Sequence, residues 1–173
     1  MSRDMPPLPL PDSFEPGQET TRAYRDALGR FATGVTVITC DSSQGPLGIT
    51  ANSFASVSLD PALVLWSPAK ASKRFDAFTQ ADHFAVHIMS NEQAGICAGF
   101  AKDGGAFDGY DWHSSSKGVP LISHCLSRFE CTREAVHDAG DHAIVVGRVT
   151  RVSTQQGKPL MFYSGKYGGF REV

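Results

Sequence analysis

A chain of 173 residues with 41% hydrophobic content has the size of one domain, enough to bury about 70% of its extended-chain surface without disulfide or metal staples. Its 16 Lys and Arg against 18 Asp and Glu give a net charge of −2, without the basic excess of a nucleic-acid binder. No apolar run approaches the ~20 residues of a bilayer-spanning helix, and Cys40, Cys97, Cys125 and Cys131 form neither a CxxC pair nor a Cys/His ligand rhythm, so the expectation is a cytoplasmic protein with no metal, membrane or nucleic-acid partner.

Five of the ten prolines lie between Pro6 and Pro16. Proline fixes φ and lacks a backbone donor, so residues 1–19 read as an extended Pro-rich arm and residues 20–173 as the folded domain. The arm has neither the charged head nor the continuous apolar stretch of a secretion signal. Thr20 or Thr21 can cap a helix in which Tyr24, Ala27, Leu28 and Phe31 recur at helical spacing, with Gly34 as its end. That stripe is expected to face the core. The β-branched run Val35 to Cys40 predicts a strand, and DSSQGP a turn. Further strands are predicted around Leu47 to Ala51, Val57 to Leu59 and Ala62 to Trp66.

Ser72 precedes Phe75 and Phe78 at helical spacing. The strand HFAVHIMS follows, then a helix around Glu92 to Ala101 with Ser90 and Gln93 as its capping box. Lys102 to Val119 reads as a long loop, and Leu126 to Val136 and His142 to Val152 as long strands. About seven strands and three short helices, without βαβ alternation, predict a mainly β domain. A closed or partly open barrel would cover the strand edges, although a sandwich has the same periodicity.

Three segments carry chemistry. In SPAKASKRF, a helix starting near Ser72 would aim free N–H groups at an anion, with Lys70, Lys73 and Arg74 beside it; alternatively Ser72 is only a cap and the bases are solvated. In ITANSFASVSLDP, Thr50, Asn52, Ser53 and Ser56 can present donors and acceptors to a flat heteroaromatic ligand. The same residues suit a bulged strand whose hydroxyls satisfy their own backbone. At Gly140, Asp141 and His142 a carboxylate can orient an imidazole, or the His is simply a rim residue. His83 and His87 share a face, but without a third ligand they read as structural. Phe107 and Trp112, inside the long loop, are the aromatic residues with most scope to stack on a ring. No nucleophile elbow or Walker loop is present.

Taken in order, FATGVTVITC, GITANSFASVSLDP, SPAKAS, HFAVHIMS, AFDGYDWHSSSKGVPLI, GDH and PLMFYSGKYGGF resemble the flavin reductase-like family, whose fold is the FMN-binding split barrel. The resemblance covers about Tyr24 to Phe170. It implies a flavin ring held along the segment from Ile49 to Ser56, with Thr50, Ala51, Asn52 and Ser53 in contact. It also implies a phosphate served by Ser67, Ser72 and Lys73, and His142 beside the reduced nicotinamide. Family members often have a basic residue before the Phe matching Phe107, where this chain has Ala106.

The activity implied is NAD(P)H-dependent reduction of FMN or FAD, by a homodimer that supplies a partner oxygenase. Hydride passes directly between the two rings, so neither nucleophile nor metal is required. Two rivals share the same fold logic: an oxidase of the pyridoxamine phosphate type, and a non-catalytic flavin- or haem-binding carrier or sensor.

Overall fold

The computed structural model describes residues 13–172. A short helix, α1 (Thr21–Leu28), precedes the strands β1 (Thr33–Gly34), β2 (Thr36–Ser42), β3 (Gly45–Ala51), β4 (Ala55–Leu59) and β5 (Ala62–Trp66). The helix α2 (Phe75–Gln80) leads to β6 (His83–Ile88), and a 3-10 turn at Asn91–Gln93 opens α3 (Ala94–Lys102). The hairpin of β7 (Trp112–Ser114) and β8 (Pro120–Ile122) comes next. The long hairpin of β9 (Ser127–Ala139) and β10 (His142–Thr154) follows, then β11 (Leu160–Tyr163) and β12 (Lys166–Gly169).

Seven strands form one antiparallel sheet in the order β3-β2-β6-β9-β10-β5-β4. Its two edge strands, β3 and β4, are consecutive in the chain and joined only by residues 52–54, yet they do not pair. The sheet therefore curls back on itself and stays split along that seam, which is the partly open barrel the pattern predicts. Strand alternation fills the inside: Ile38 and Cys40 of β2, Phe84 and Val86 of β6, Val64 and Trp66 of β5 and Val145 of β10 share one cluster. Residues of the opposite phase, Val35 and Val37, pack outside it against Cys97 and Phe100 of α3, Phe107 and Ile122. A second sheet, β1-β11-β12, flanks the barrel.

Three expectations need correction. The stripe on α1 does not face the core: no residue of the helix is buried, and Leu28 and Phe31 are 57% and 79% exposed. The outer face of β2 is already covered by α3 and the β7–β8 hairpin, so an eight-residue helix has nothing left to cover. It also ends at Gly29 rather than Gly34. The segment Lys102 to Val119 is not wholly a loop, because β7 lies within it and pairs with β8. Thr39 donates its hydroxyl to the Pro120 carbonyl, and Ile122 N–H donates to His87 Nε2 at 3.0 Å; these bonds tie the hairpin to the barrel wall. Of the proposed arm, residues 1–12 lie outside the described residues. Among the described residues no helix is long and apolar enough to cross a membrane.

Candidate functional site

Three of the segments singled out in the sequence meet at the barrel's split. Ser53 follows β3, and its Oγ accepts the Ser67 N–H at 2.9 Å, clamping the residues between the edge strands to the end of β5. From Ser67 the chain runs along the start of β10: Ala143 N–H donates to Pro68 O at 3.0 Å, Ala69 bridges His142, and Lys70 N–H donates to Asp141 O at 2.9 Å. Thr50 to Ser53, Ser67 to Lys70 and Gly140 to His142 thus form one wall. They are separated by up to 92 positions in the chain.

Thr50 Oγ1 donates to Cys97 O at 2.7 Å, and Thr36 Oγ1 donates to Ala51 O at 2.6 Å, so these bonds fix β3 against α3 and β2. The side chain of Asn52 is exposed and has no protein partner among the described residues. Beside it a cleft of about 180 Å³ is lined by Val35, Thr50, Ala51, Asn52, Phe162 and Tyr167. A small apolar floor with uncommitted polar groups at its rim suits a flat heteroaromatic ring. Phe162 and Tyr167 come from the C-terminal hairpin, which sequence reasoning left without a role. The signal was there: aromatic residues flank the turn formers Ser164 and Gly165, a hairpin signature.

His142 opens β10 directly after a tight turn, in which Gly140 takes φ 68°, a left-handed conformation that glycine adopts at no steric cost. Asp141 Oδ1 accepts a hydrogen bond from His142 Nδ1 at 2.7 Å. That bond, followed by the charge of His142 and more distantly that of Arg25, holds the Asp141 carboxyl below the usual carboxylate range. With Nδ1 committed, Nε2 is the nitrogen available to a ligand. The imidazole is half-exposed, its side chain 43% accessible.

The phosphate candidates lie further along. Ser72 and Lys73 line a polar cleft of about 660 Å³ with Leu47, Lys102 and Gly104. Ser72 accepts the Arg74 N–H at 3.2 Å and closes the turn before α2, which starts at Phe75. Of the three bases there, Lys70 pairs with Asp138. Arg74 donates to Gly48 O at 2.9 Å and Phe100 O at 2.6 Å, thereby capping the end of α3, and desolvation lowers its pKa. Lys73 has no ion pair among the described residues.

Two site candidates stand apart. Ser56 is exposed on the edge strand β4, beside a bulge between Ser56 and Ser58. Phe107 is 7% exposed and wedged between Phe100 and Trp112, with ring centroids at 4.8 and 4.9 Å; it supports the wall from behind.

Comparison with known proteins identifies the family. Residues 28–171 match the family described as flavin reductase like domain. The chain is 53% identical over 163 residues to the FMN reductase (NADH) SmoA of Agrobacterium fabrum, covering 94% of each protein. It is 41% identical to the flavin-dependent monooxygenase reductase subunit HsaB of Rhodococcus jostii, over 86% of this chain and 77% of that protein. Among solved structures, the NADH:FAD oxidoreductase SgcE6 of Streptomyces globisporus superposes with a TM-score of 0.86 at 32% identity, covering 96% of this chain and 97% of that one. By extent of match, identity and fold alike, the chain belongs to the flavin reductase like domain family.

Proposed function

We propose that this chain is an NAD(P)H-dependent flavin reductase that takes FMN or FAD at the barrel's split and supplies reduced flavin to a partner monooxygenase. The observation that carries the site assignment is the single wall formed by Thr50 to Ser53, Ser67 to Lys70 and Gly140 to His142. When both are bound, the nicotinamide supplies a hydride and the flavin accepts it. The protein's task is to hold the two rings in register and to exclude other geometries.

In this reading the main chain of Ala51, Asn52 and Ser53 and the Asn52 side chain hold the ring, while Thr50 and Ser53 keep that backbone rigid through their bonds to Cys97 and Ser67. Ser67, Ser72 and Lys73 serve the phosphate. Support comes from β3 itself, which runs from Leu47 at the polar cleft to Thr50 at the ring cleft, a rise of about 10 Å for three residues of strand and commensurate with a ribityl tail. Ser56, on the exposed edge strand β4 and outside the ring cleft, makes no ring contact in this reading, and Phe107 acts by packing behind the wall. His142, held by Asp141, receives the nicotinamide.

Exposed Tyr24, Leu28, Phe31 and Phe170 support a homodimer that covers them. Four free, buried cysteines support a reducing, cytoplasmic setting.

The test is His142→Ala in stopped-flow reduction of FMN, with NADH and NADPH compared. The expected result is reduction slowed by about tenfold, equivalent to one positioning contact of ~1.4 kcal/mol, with the FMN dissociation constant within about twofold of wild type. Unchanged reduction would remove the role given to His142. An absence of nicotinamide oxidation in the wild type would remove the reductase reading itself.

A further inference from the structure

We infer that Tyr167 is a flavin-contacting residue, its phenol laid against the ring bound along Thr50 to Asn52 and contributing to flavin affinity. The inference rests on the reductase reading above and adds to it a residue from a part of the chain to which that reading gives no task. Its basis is geometric. Tyr167 lies on β12, outside the barrel sheet, yet lines the same small cleft as Thr50, Ala51 and Asn52.

The hairpin that carries it is anchored on both sides. Thr33 and Gly34 of β1 pair with Phe162 and Met161 of β11, and Ser164 N–H at the turn donates to Gly29 O at 3.0 Å. Phe162 lies directly across from Tyr167 and meets its ring edge-on, with centroids 5.6 Å apart. Such a pair holds an aromatic plane in one orientation at little further entropic cost. Tyr167 nevertheless remains 44% exposed.

The cleft's other groups leave this role open. The Thr50 hydroxyl is committed to Cys97 O, and the Ala51 carbonyl accepts from Thr36. Val35 and Phe162 are apolar. Among the described residues the phenol of Tyr167 has no hydrogen-bond partner, which leaves it, with Asn52, as a side chain free to meet a ligand. Partial burial, with Cys97 close by, raises the phenol pKa, so the group stays protonated and uncharged at neutral pH and can lie on an electron-poor ring without repelling the anion formed on reduction.

Tyrosine in contact with an excited flavin quenches its fluorescence by transient electron donation, which the phenylalanine ring does not do. The experiment therefore measures fluorescence of bound FMN, and FMN dissociation constants, for wild type, Tyr167→Phe and Tyr167→Leu. The expected result is bound FMN at least threefold brighter in Tyr167→Phe, with affinity kept within about threefold. For Tyr167→Leu the expectation is about tenfold weaker binding, the loss of one aromatic contact of ~1.4 kcal/mol. Equal brightness in wild type and Tyr167→Phe, each saturated with FMN and active in NADH oxidation, overturns the inference and leaves the reductase reading intact. Failure of the wild type to bind FMN at all overturns both. Should Tyr167→Leu unfold, the comparison with Tyr167→Phe decides alone.

Discussion

His87 is fully buried on β6, with both ring nitrogens held by main chain. Nδ1–H donates to Val37 O at 2.9 Å, and Nε2 accepts the Ile122 N–H at 3.0 Å. Only one neutral tautomer satisfies both bonds, and burial drives the pKa down to about 3. In the unfolded chain the group titrates near 6.5. Between those values the unfolded chain binds a proton that the folded one does not. Stability is therefore complete well above pH 6.5 and falls as pH drops towards 3, approaching a slope of about 1.4 kcal/mol per pH unit. Urea midpoints at pH 7, 6 and 5 should decline in the wild type and decline less steeply in His87→Gln, which has nothing to titrate. Parallel declines would place the acid sensitivity elsewhere. The residue was legible in the sequence only as half of a rejected metal pair. Its actual partners, Val37 and Ile122, lie 50 and 35 positions away, and no local pattern announces them.

Strands with strong alternation were legible as elements, because one buried face imposes a period of two over many residues. β5 and β10 follow from that signal, while β2 and β6, buried on both faces, were legible from their β-branched and apolar runs. β7, β8, β11 and β12 were not, since three or four residues carry too little periodicity and each is held by distant partners such as Thr39 and Gly34. The α1 stripe misled for the opposite reason: helical spacing reports an apolar face, not what covers it. Close backbone approach was equally hidden. A Cβ built at Gly147 on β10 would lie 2.4 Å from Phe84 Cζ and 3.0 Å from the Cys131 Cβ, because the Phe84 ring fills the barrel against bare main chain at a register shift between β9 and β10. Gly147→Ala is expected to cost about 1–3 kcal/mol of unfolding free energy by overpacking, read as a lower denaturant midpoint, with FMN affinity unchanged because the clash is with Phe84 and Cys131 inside the barrel, about 17 Å of strand away from His142. A midpoint equal to wild type would show that Phe84 moves aside freely.

The candidate site was readable in outline, since three of its segments were singled out, but their convergence and the part of the C-terminal hairpin in the cleft were not. Thr50, Ser67 and His142 come together only because β3 and β4 bracket the split and β5 pairs with β10. A ligand in that position would bridge parts of the molecule that the chain leaves far apart: the unpaired edges, the turn before α2, and the C-terminal hairpin. Binding to the folded state alone then stabilises the whole domain, by about 2.7 kcal/mol at a hundredfold excess over the dissociation constant. For a domain of this size that corresponds to a rise of roughly 5–10 °C in Tm. FMN at that excess should produce such a shift. Riboflavin at the same concentration should produce a smaller one, because it reaches the ring cleft but offers nothing to Ser72 and Lys73. Lys73→Ala should narrow the difference between the two ligands without altering the Tm of the unliganded protein, Lys73 being exposed and outside any ion pair among the described residues. Identical shifts with FMN and riboflavin in the wild type would mean that the polar cleft holds no phosphate, and that the ring cleft alone accounts for binding.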